Sequence, residues 1–218
     1  MSQKDSLKQV ASLNDCVIVV IDVQNDFCAA GGALHRLGSS LESIAEMLPT
    51  LAQFLDEVRR LGGKIIFTQH RYDPAQMSPT MVKRDRLLFE HDRQLVGDGG
   101  FPVPGSWGEE FYALIQPKPN EPVVVKHRYN TFSSPKFTEL LNQYKTKTLI
   151  LTGLLTNVCV ETTARATDAT DYYLIVVEDC VASDSPELHR LSLTNLRRYF
   201  GWVYRSDELL ALWTNSND

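Results

Sequence analysis

The sequence predicts an α/β fold: a mostly parallel six-stranded sheet with helices on both faces. Three observations support it. Short apolar runs rich in β-branched residues recur along the chain, helix-compatible amphipathic stretches separate many of them, and several chemistry-bearing side chains fall at the ends of those runs. In open α/β sheets the ends of the strands are where ligands are held.

The first run, Val17 to Asp22, is unbroken valine and isoleucine up to its final carboxylate, as a strand buried on both faces requires. Pro49 suits a first helical position; Leu51, Phe54, Leu55 and Val58 then make an apolar face, and Gly62-Gly63 ends the helix. Lys64 to Gln69 is the second strand. From Arg71 to Pro122 the regular pattern weakens, and Gly97 to Gly105 reads as an extended loop of the kind that shapes sites. The cluster Lys83-Arg84-Asp85-Arg86 is balanced by Glu90 and Asp92 and reads as a solvated face. Val123 to Lys126 and Thr148 to Thr152 are the next strands. Gly153 stops the latter, and Thr156 to Asp168 is helix-compatible with Thr156 or Asn157 as N-cap. Tyr173 to Glu178 follows. Ser185-Pro186 opens a helix with Leu188, Leu191, Leu196 and Tyr199 facing inward, and Trp202 to Tyr204 is a weak last strand. The result is a single-domain Rossmann-like arrangement over residues 1–218, with its core at about 14–205.

At 218 residues the chain is long enough for one substantial core. Its 43% hydrophobic and 22% charged content is ordinary for a globular protein, and no apolar run approaches the ~18 residues of a membrane span. Residues 1–15 lack the apolar centre of a secretory signal, so the expected location is cytoplasmic, with no membrane partner. Four scattered cysteines fit a reducing compartment. A net charge of -5 with interspersed signs disfavours nucleic acid as a partner.

Cys159 is the most informative residue. It follows a buried strand and falls in or near the first turn of the next helix, where free N–H groups and the helix dipole favour thiolate over thiol and can hold an oxyanion. The sequence therefore predicts an exposed, activated nucleophile. Cys16 and Cys180 lie in or beside strand-like runs and read as small buried hydrophobes, and Cys28 as inert. Asp22 and Lys126 close two other strands. A carboxylate, an ammonium and a thiol meeting at one pocket would suit covalent acyl transfer, with Asp22 moving the proton and Lys126 holding the carboxylate.

Asp22-Val23-Gln24-Asn25-Asp26-Phe27, Lys126-His127-Arg128-Tyr129-Asn130-Thr131-Phe132, Gly153 to Val160 and Glu178-Asp179-Cys180-Val181-Ala182 together resemble the isochorismatase-like cysteine hydrolases. The resemblance spans about residues 14–205 and is nearest to the branch acting on carbamoyl compounds, such as ureidoacrylate and biuret amidohydrolases. It implies Asp22, Lys126 and Cys159 as a catalytic triad with a thioester intermediate. It also implies a cis peptide between Leu154 and Leu155, an oxyanion hole formed by the N–H groups of Leu155 and Cys159, and assembly as a homodimer or homotetramer. A Leu-Leu pair is bulkier than the small residues often found there. Phe27, His70, Tyr72 and Tyr129 are the implied substrate contacts.

Nicotinamidases of this family carry an Asp-x-His metal element after the second strand, where this chain has His70 and Tyr72. The expectation is no metal and no cofactor, although His70 with Asp73 offers two donors that zinc accepts. Arg128 is a further candidate for recognising a carboxylate. The reaction expected is cleavage of a C–N bond in a small linear amide, ureide or carbamoyl compound, releasing ammonia or an amine. Alternatives are a nicotinamidase-type amidase, a vinyl-ether hydrolase of the isochorismatase type, and a binding module that keeps the pocket without using it.

Overall fold

The structure, a computed structural model, describes residues 3–96 and 101–214. Gly97 to Gly100, the first part of the expected loop, lie outside the described residues. Six strands form one sheet: β1 (Cys16–Ile21), β2 (Lys64–His70), β3 (Val123–Lys126), β4 (Thr148–Leu154), β5 (Tyr173–Ala182) and β6 (Trp202–Tyr204). Their order is β3-β2-β1-β4-β5-β6, and every pair is parallel, so the expected mostly parallel sheet is wholly so. The order reverses at β1, between β2 and β4, which places a crevice beyond the carboxyl end of the central strand.

The helices run α1 (Gln3–Val10), α2 (Asn25–Cys28), α3 (Ala33–Arg36), α4 (Glu42–Arg60), α5 (Pro79–Leu88), α6 (Glu90–Val96), α7 (Pro135–Gln143), α8 (Glu161–Thr167), α9 (Pro186–Tyr199) and α10 (Ser206–Thr214). Strand side chains alternate between two cores. Ile18 and Val20 of β1 join Leu51, Phe54 and Leu55 of α4 and Leu209 and Trp213 of α10 on one face. Val17, Val19 and Ile21 join Phe137 and Leu141 of α7 and Leu196 of α9 on the other. All six residues of β1 are buried, each aliphatic side chain contributing roughly 1.5–3 kcal/mol relative to exposure. A strand of this kind has no solvent face to offer, which is why its sequence lacks polar alternation.

Two helix readings need correction. Pro49 lies inside α4, which begins at Glu42. The missing N–H would ordinarily break a helix; here Ile44, Met47 and Leu48 are already buried ahead of it, so packing of the apolar stripe carries the helix across the proline. In α9, Ser185 does cap Leu188 N–H with Pro186 in the first turn, but of the four residues expected to face inward only Leu196 is buried. Leu188 is 45% exposed, Leu191 47% and Tyr199 66%, while Ser192, Leu193 and Leu196 face the sheet. Ser192 on this buried face is satisfied by the carboxylate of Glu161 on α8, to which its hydroxyl donates, a polar contact that apolar periodicity does not report. The stretch 71–122, expected to be irregular, contains α5 and α6.

Gly153 pairs with Ile21 where β1 and β4 approach the crevice. Its φ is +94°, and a Cβ there would lie 2.2 Å from the carbonyl oxygen of Ile21. Gly153→Ala combines a left-handed backbone with a backbone clash, so it should destabilise the fold by about 3 kcal/mol or more. Urea unfolding of the variant beside the wild type measures this.

Candidate active site

Asp22, the residue after β1, adopts φ 51°, a left-handed conformation uncommon for a residue with a side chain. It is buried, and its carboxylate is held from two sides. Lys126 Nζ, from the end of β3, donates to Asp22 Oδ2 at 2.6 Å; Thr68 Oγ1, from the intervening strand β2, donates to Asp22 Oδ1 at 2.6 Å. Asp22 N–H in turn donates to Thr68 Oγ1 at 3.2 Å. Lys126 also donates to the carbonyl of Arg128 at 3.1 Å, and its side chain is shielded from solvent. Burial pulls the Lys126 ammonium down, but Asp22 and then Cys159 outweigh it and hold the group above its usual range.

Cys159 sits in a single π-helical turn, Thr156–Val160, that leads into α8. Val160 N–H reaches back five residues to the carbonyl of Leu155 at 3.2 Å; such turns are frequent at functional sites. Neither Thr156 nor Asn157 caps the turn. Thr156 Oγ1 instead pairs with His189 Nδ1 of α9 at 2.9 Å, and Asn157 Oδ1 accepts from Ser183 beyond β5 at 2.6 Å. These contacts clamp the turn from both neighbouring elements. The peptide between Leu154 and Leu155 is cis, in accord with the resemblance.

Cys159 lies close enough to Asp22 and Lys126 for both to act on its thiol, and it lines the same cavity as Asp22, so the structure brings the three groups together. Its state differs from expectation. Cys159 is 6% exposed, and burial pushes its thiol well above the usual range; Lys126 draws it back and Asp22 adds to the rise. The favoured resting form of Cys159 is the thiol, because desolvation of a buried thiolate outweighs the helix-end attraction that the sequence suggested. Cys16, Cys28 and Cys180 are buried and unpaired, as expected.

Asp22 and Cys159 line a cavity of about 740 Å³. Phe27, His70, Tyr72 and Tyr129 line it too, as do Leu154 and Leu155. Met81, Arg84 and Asp85 of α5 and Phe89 just after it also line the cavity, so the charged cluster read as a solvated face partly borders it. Arg84 is neutralised by Asp85 at 2.6 Å. Arg128 also lines the cavity; its guanidinium donates to the carbonyl of His127 at 2.7 Å. Asp73 accepts from Ala75 N–H as the cap of a short turn. Among the described residues no group of three His, Cys, Asp or Glu side chains could hold a metal ion.

Sequence reasoning missed the scaffold behind these residues. Gln24 is buried; its Oε1 accepts His70 N–H at 2.8 Å, and its Nε2 donates to the carbonyls of His70 and Glu109, each at 2.9 Å. Glu109 pairs with Arg71 and accepts Gly105 N–H at 2.6 Å. Gly108 lies so close to Asp26 that a Cβ would be 2.3 Å from its carboxylate. Gln24 and Asp26 lay inside a noted motif, yet only Asp22 and Phe27 had been given roles there; the signal was an amide and a second acid directly after a wholly apolar strand.

The comparisons agree with this architecture. The isochorismatase domain model matches residues 16–208. The chain belongs to the isochorismatase-like hydrolase family. It is 31% identical over 198 residues to the ureidoacrylate amidohydrolase RutB of Methylobacterium radiotolerans, covering 85% of this chain and 74% of that protein. It is 29% identical over 207 residues to the enzyme of the same name from Pseudomonas syringae pv. syringae, covering 92% and 84%. Among solved structures, a cysteine hydrolase from Pseudomonas syringae pv. phaseolicola superposes with a TM-score of 0.79 at 23% identity, covering 94% of this chain and 95% of that one. No described helix is long and apolar enough to cross a membrane.

Two measurements follow from this geometry. Alkylation of Cys159 by iodoacetamide, followed by peptide mass spectrometry, should accelerate with pH and reach no plateau below about pH 9; a plateau near neutrality would mean a resting thiolate. Thr68→Val removes the hydroxyl that both accepts from and donates to Asp22, and should lower stability by about 1–3 kcal/mol in urea unfolding.

Proposed function

We propose that this protein is a cysteine-dependent amidohydrolase that cleaves a C–N bond of a small linear amide, ureide or carbamoyl compound. The observation that carries the reading is the buried Lys126–Asp22 hydrogen bond with Cys159 beside it, acid and thiol both at the wall of one cavity. Relatives named as ureidoacrylate amidohydrolases support the bond type.

In this scheme Cys159 Sγ attacks the substrate carbonyl carbon while Asp22 takes the thiol proton, so no free thiolate need accumulate in the buried site. The carbonyl oxygen becomes an oxyanion, held by the N–H groups of Leu155 and Cys159. As the C–N bond breaks, the leaving nitrogen takes the proton from Asp22 and departs as ammonia or an amine, leaving a thioester. Water then attacks the thioester and gives its proton to Asp22. The second tetrahedral intermediate expels Sγ, which recovers the proton, and the acid product leaves. Lys126 stays charged throughout and keeps Asp22 Oδ2 oriented. Phe27, Tyr72, Tyr129 and His70 form the wall against which the substrate lies. Every proton is moved by this chain's own groups, and the scheme calls on no cofactor.

An ammonia-release screen over ureidoacrylate, biuret, N-carbamoyl amino acids, maleamate and nicotinamide tests the reading; turnover of none of them would count against it. For the compound turned over, Cys159→Ala should lower kcat by at least about 10³-fold, and Asp22→Asn by about 10² to 10⁴-fold. Mass spectrometry of the wild type with a slow substrate should detect acylated Cys159.

A further inference from the structure

Among the described residues two buried side-chain polar atoms lack any hydrogen-bond partner, His70 Nδ1 and Thr146 Oγ1, and of these residues only His70 lines the cavity. His70 is 8% exposed, between Phe27 and Tyr129 at ring-centroid separations of 6.4 and 6.1 Å. The local backbone does not need an imidazole. Both His70 N–H and His70 C=O are taken by the Gln24 amide, which fixes the end of β2 whatever side chain it carries. A phenyl ring would pack between the same two aromatics without a stranded nitrogen, and stranding a buried polar atom costs about 1–3 kcal/mol. An imidazole in such a place has a use when a ligand is present.

The form of the ring follows from its surroundings. Burial and then the Lys126 charge push the His70 imidazole down to about 3, with Asp22 opposing, so the ring is neutral at physiological pH. A neutral imidazole has one N–H and one acceptor nitrogen. With Nδ1 sealed and without a partner, a proton on Nε2 would give the cavity a donor and leave Nδ1 as the acceptor. Gln24 and Lys126 fix where that donor stands: Gln24 grips the residue's backbone, and His70 is in register with Lys126 on β3, beside the ion pair to Asp22.

We infer that His70 is a specificity-determining residue, a fixed neutral donor whose Nε2–H binds a carbonyl or carboxylate oxygen of the substrate other than the one that reacts. The inference rests on the amidohydrolase reading and narrows its substrate class to carbamoyl or amide compounds carrying a second acceptor oxygen a short distance from the scissile bond. Compounds lacking that oxygen would leave the donor unpaired in a dry cavity and be rejected.

Nitrogen-15 NMR of the free wild-type protein, labelled at histidine and assigned with a His70→Gln variant, reads the ring directly. The expected result is a neutral Nε2–H tautomer that does not titrate between about pH 5 and 8; an Nδ1–H tautomer, or titration in that window, overturns the inference. On the compound that the wild type hydrolyses, His70→Leu should lower kcat/KM by about 10- to 100-fold, chiefly through KM, and His70→Gln, which retains a donor near Nε2, should recover most of the loss. Equal activity of His70→Leu and wild type also overturns it. The alkylation rate of Cys159 should be the same in all three proteins, reporting an intact nucleophile. If the wild type hydrolyses nothing in the screen, the amidohydrolase reading fails and the substrate role of His70 falls with it, while the NMR result separately decides whether the ring is a neutral Nε2–H donor.

Discussion

A charged pair sealed from water organises this molecule. Lys126 and Asp22 both lie inside the fold, and removing either ion from water carries a penalty of several kcal/mol that only close, well-aligned contacts offset. The two residues do not stand on neighbouring strands. β2 lies between β3 and β1, so the ammonium must span two strand spacings, roughly 10 Å. A long side chain bridges that distance, and β2 supplies Thr68 to complete the carboxylate's shell on the way. On the other flank of β1, β4 delivers the turn that bears Cys159. The thiol can reach acid and ammonium together only because β1 is central and all its neighbours run parallel to it.

The same burial sets the chemistry. A thiolate in this environment would be poorly solvated, so Cys159 rests as the thiol, with the Lys126 ammonium nearby. Reactivity then depends on proton transfer during attack and less on a pre-formed anion. The segment around residues 105–112 contributes at a distance from the reacting atoms: Glu109 fixes Arg71, its carbonyl receives Gln24, and Trp107 carbonyl receives Asn25 at 2.9 Å. It buttresses the strand ends so that the cavity wall keeps its shape.

Much of this was legible in the residues. Six apolar runs marked six strands because a strand covered on both faces must be apolar throughout; Asp22 and Lys126 stood out because each interrupts that rule at a strand end, and Cys159 because it falls in the turn that follows β4. What escaped was decided by partners far off in the chain. On the buried face of α9 Ser192 meets Glu161, α4 continues through Pro49 with buried residues ahead of it, and the thiol's protonation depends on desolvation that no local pattern records. Gln24 reads as an ordinary polar residue until the fold brings His70 and Glu109 to its amide.

The tight approach at Gly153 also bears on how such a protein can evolve. Any missense change in a glycine codon adds at least one carbon, and here that carbon would enter the backbone of Ile21. Drift at this position is therefore barred on steric grounds alone, whatever compound the cavity accepts. Diversification toward new compounds is channelled to the aromatic and α5 walls, where side chains can exchange without disturbing the seam between the two central strands.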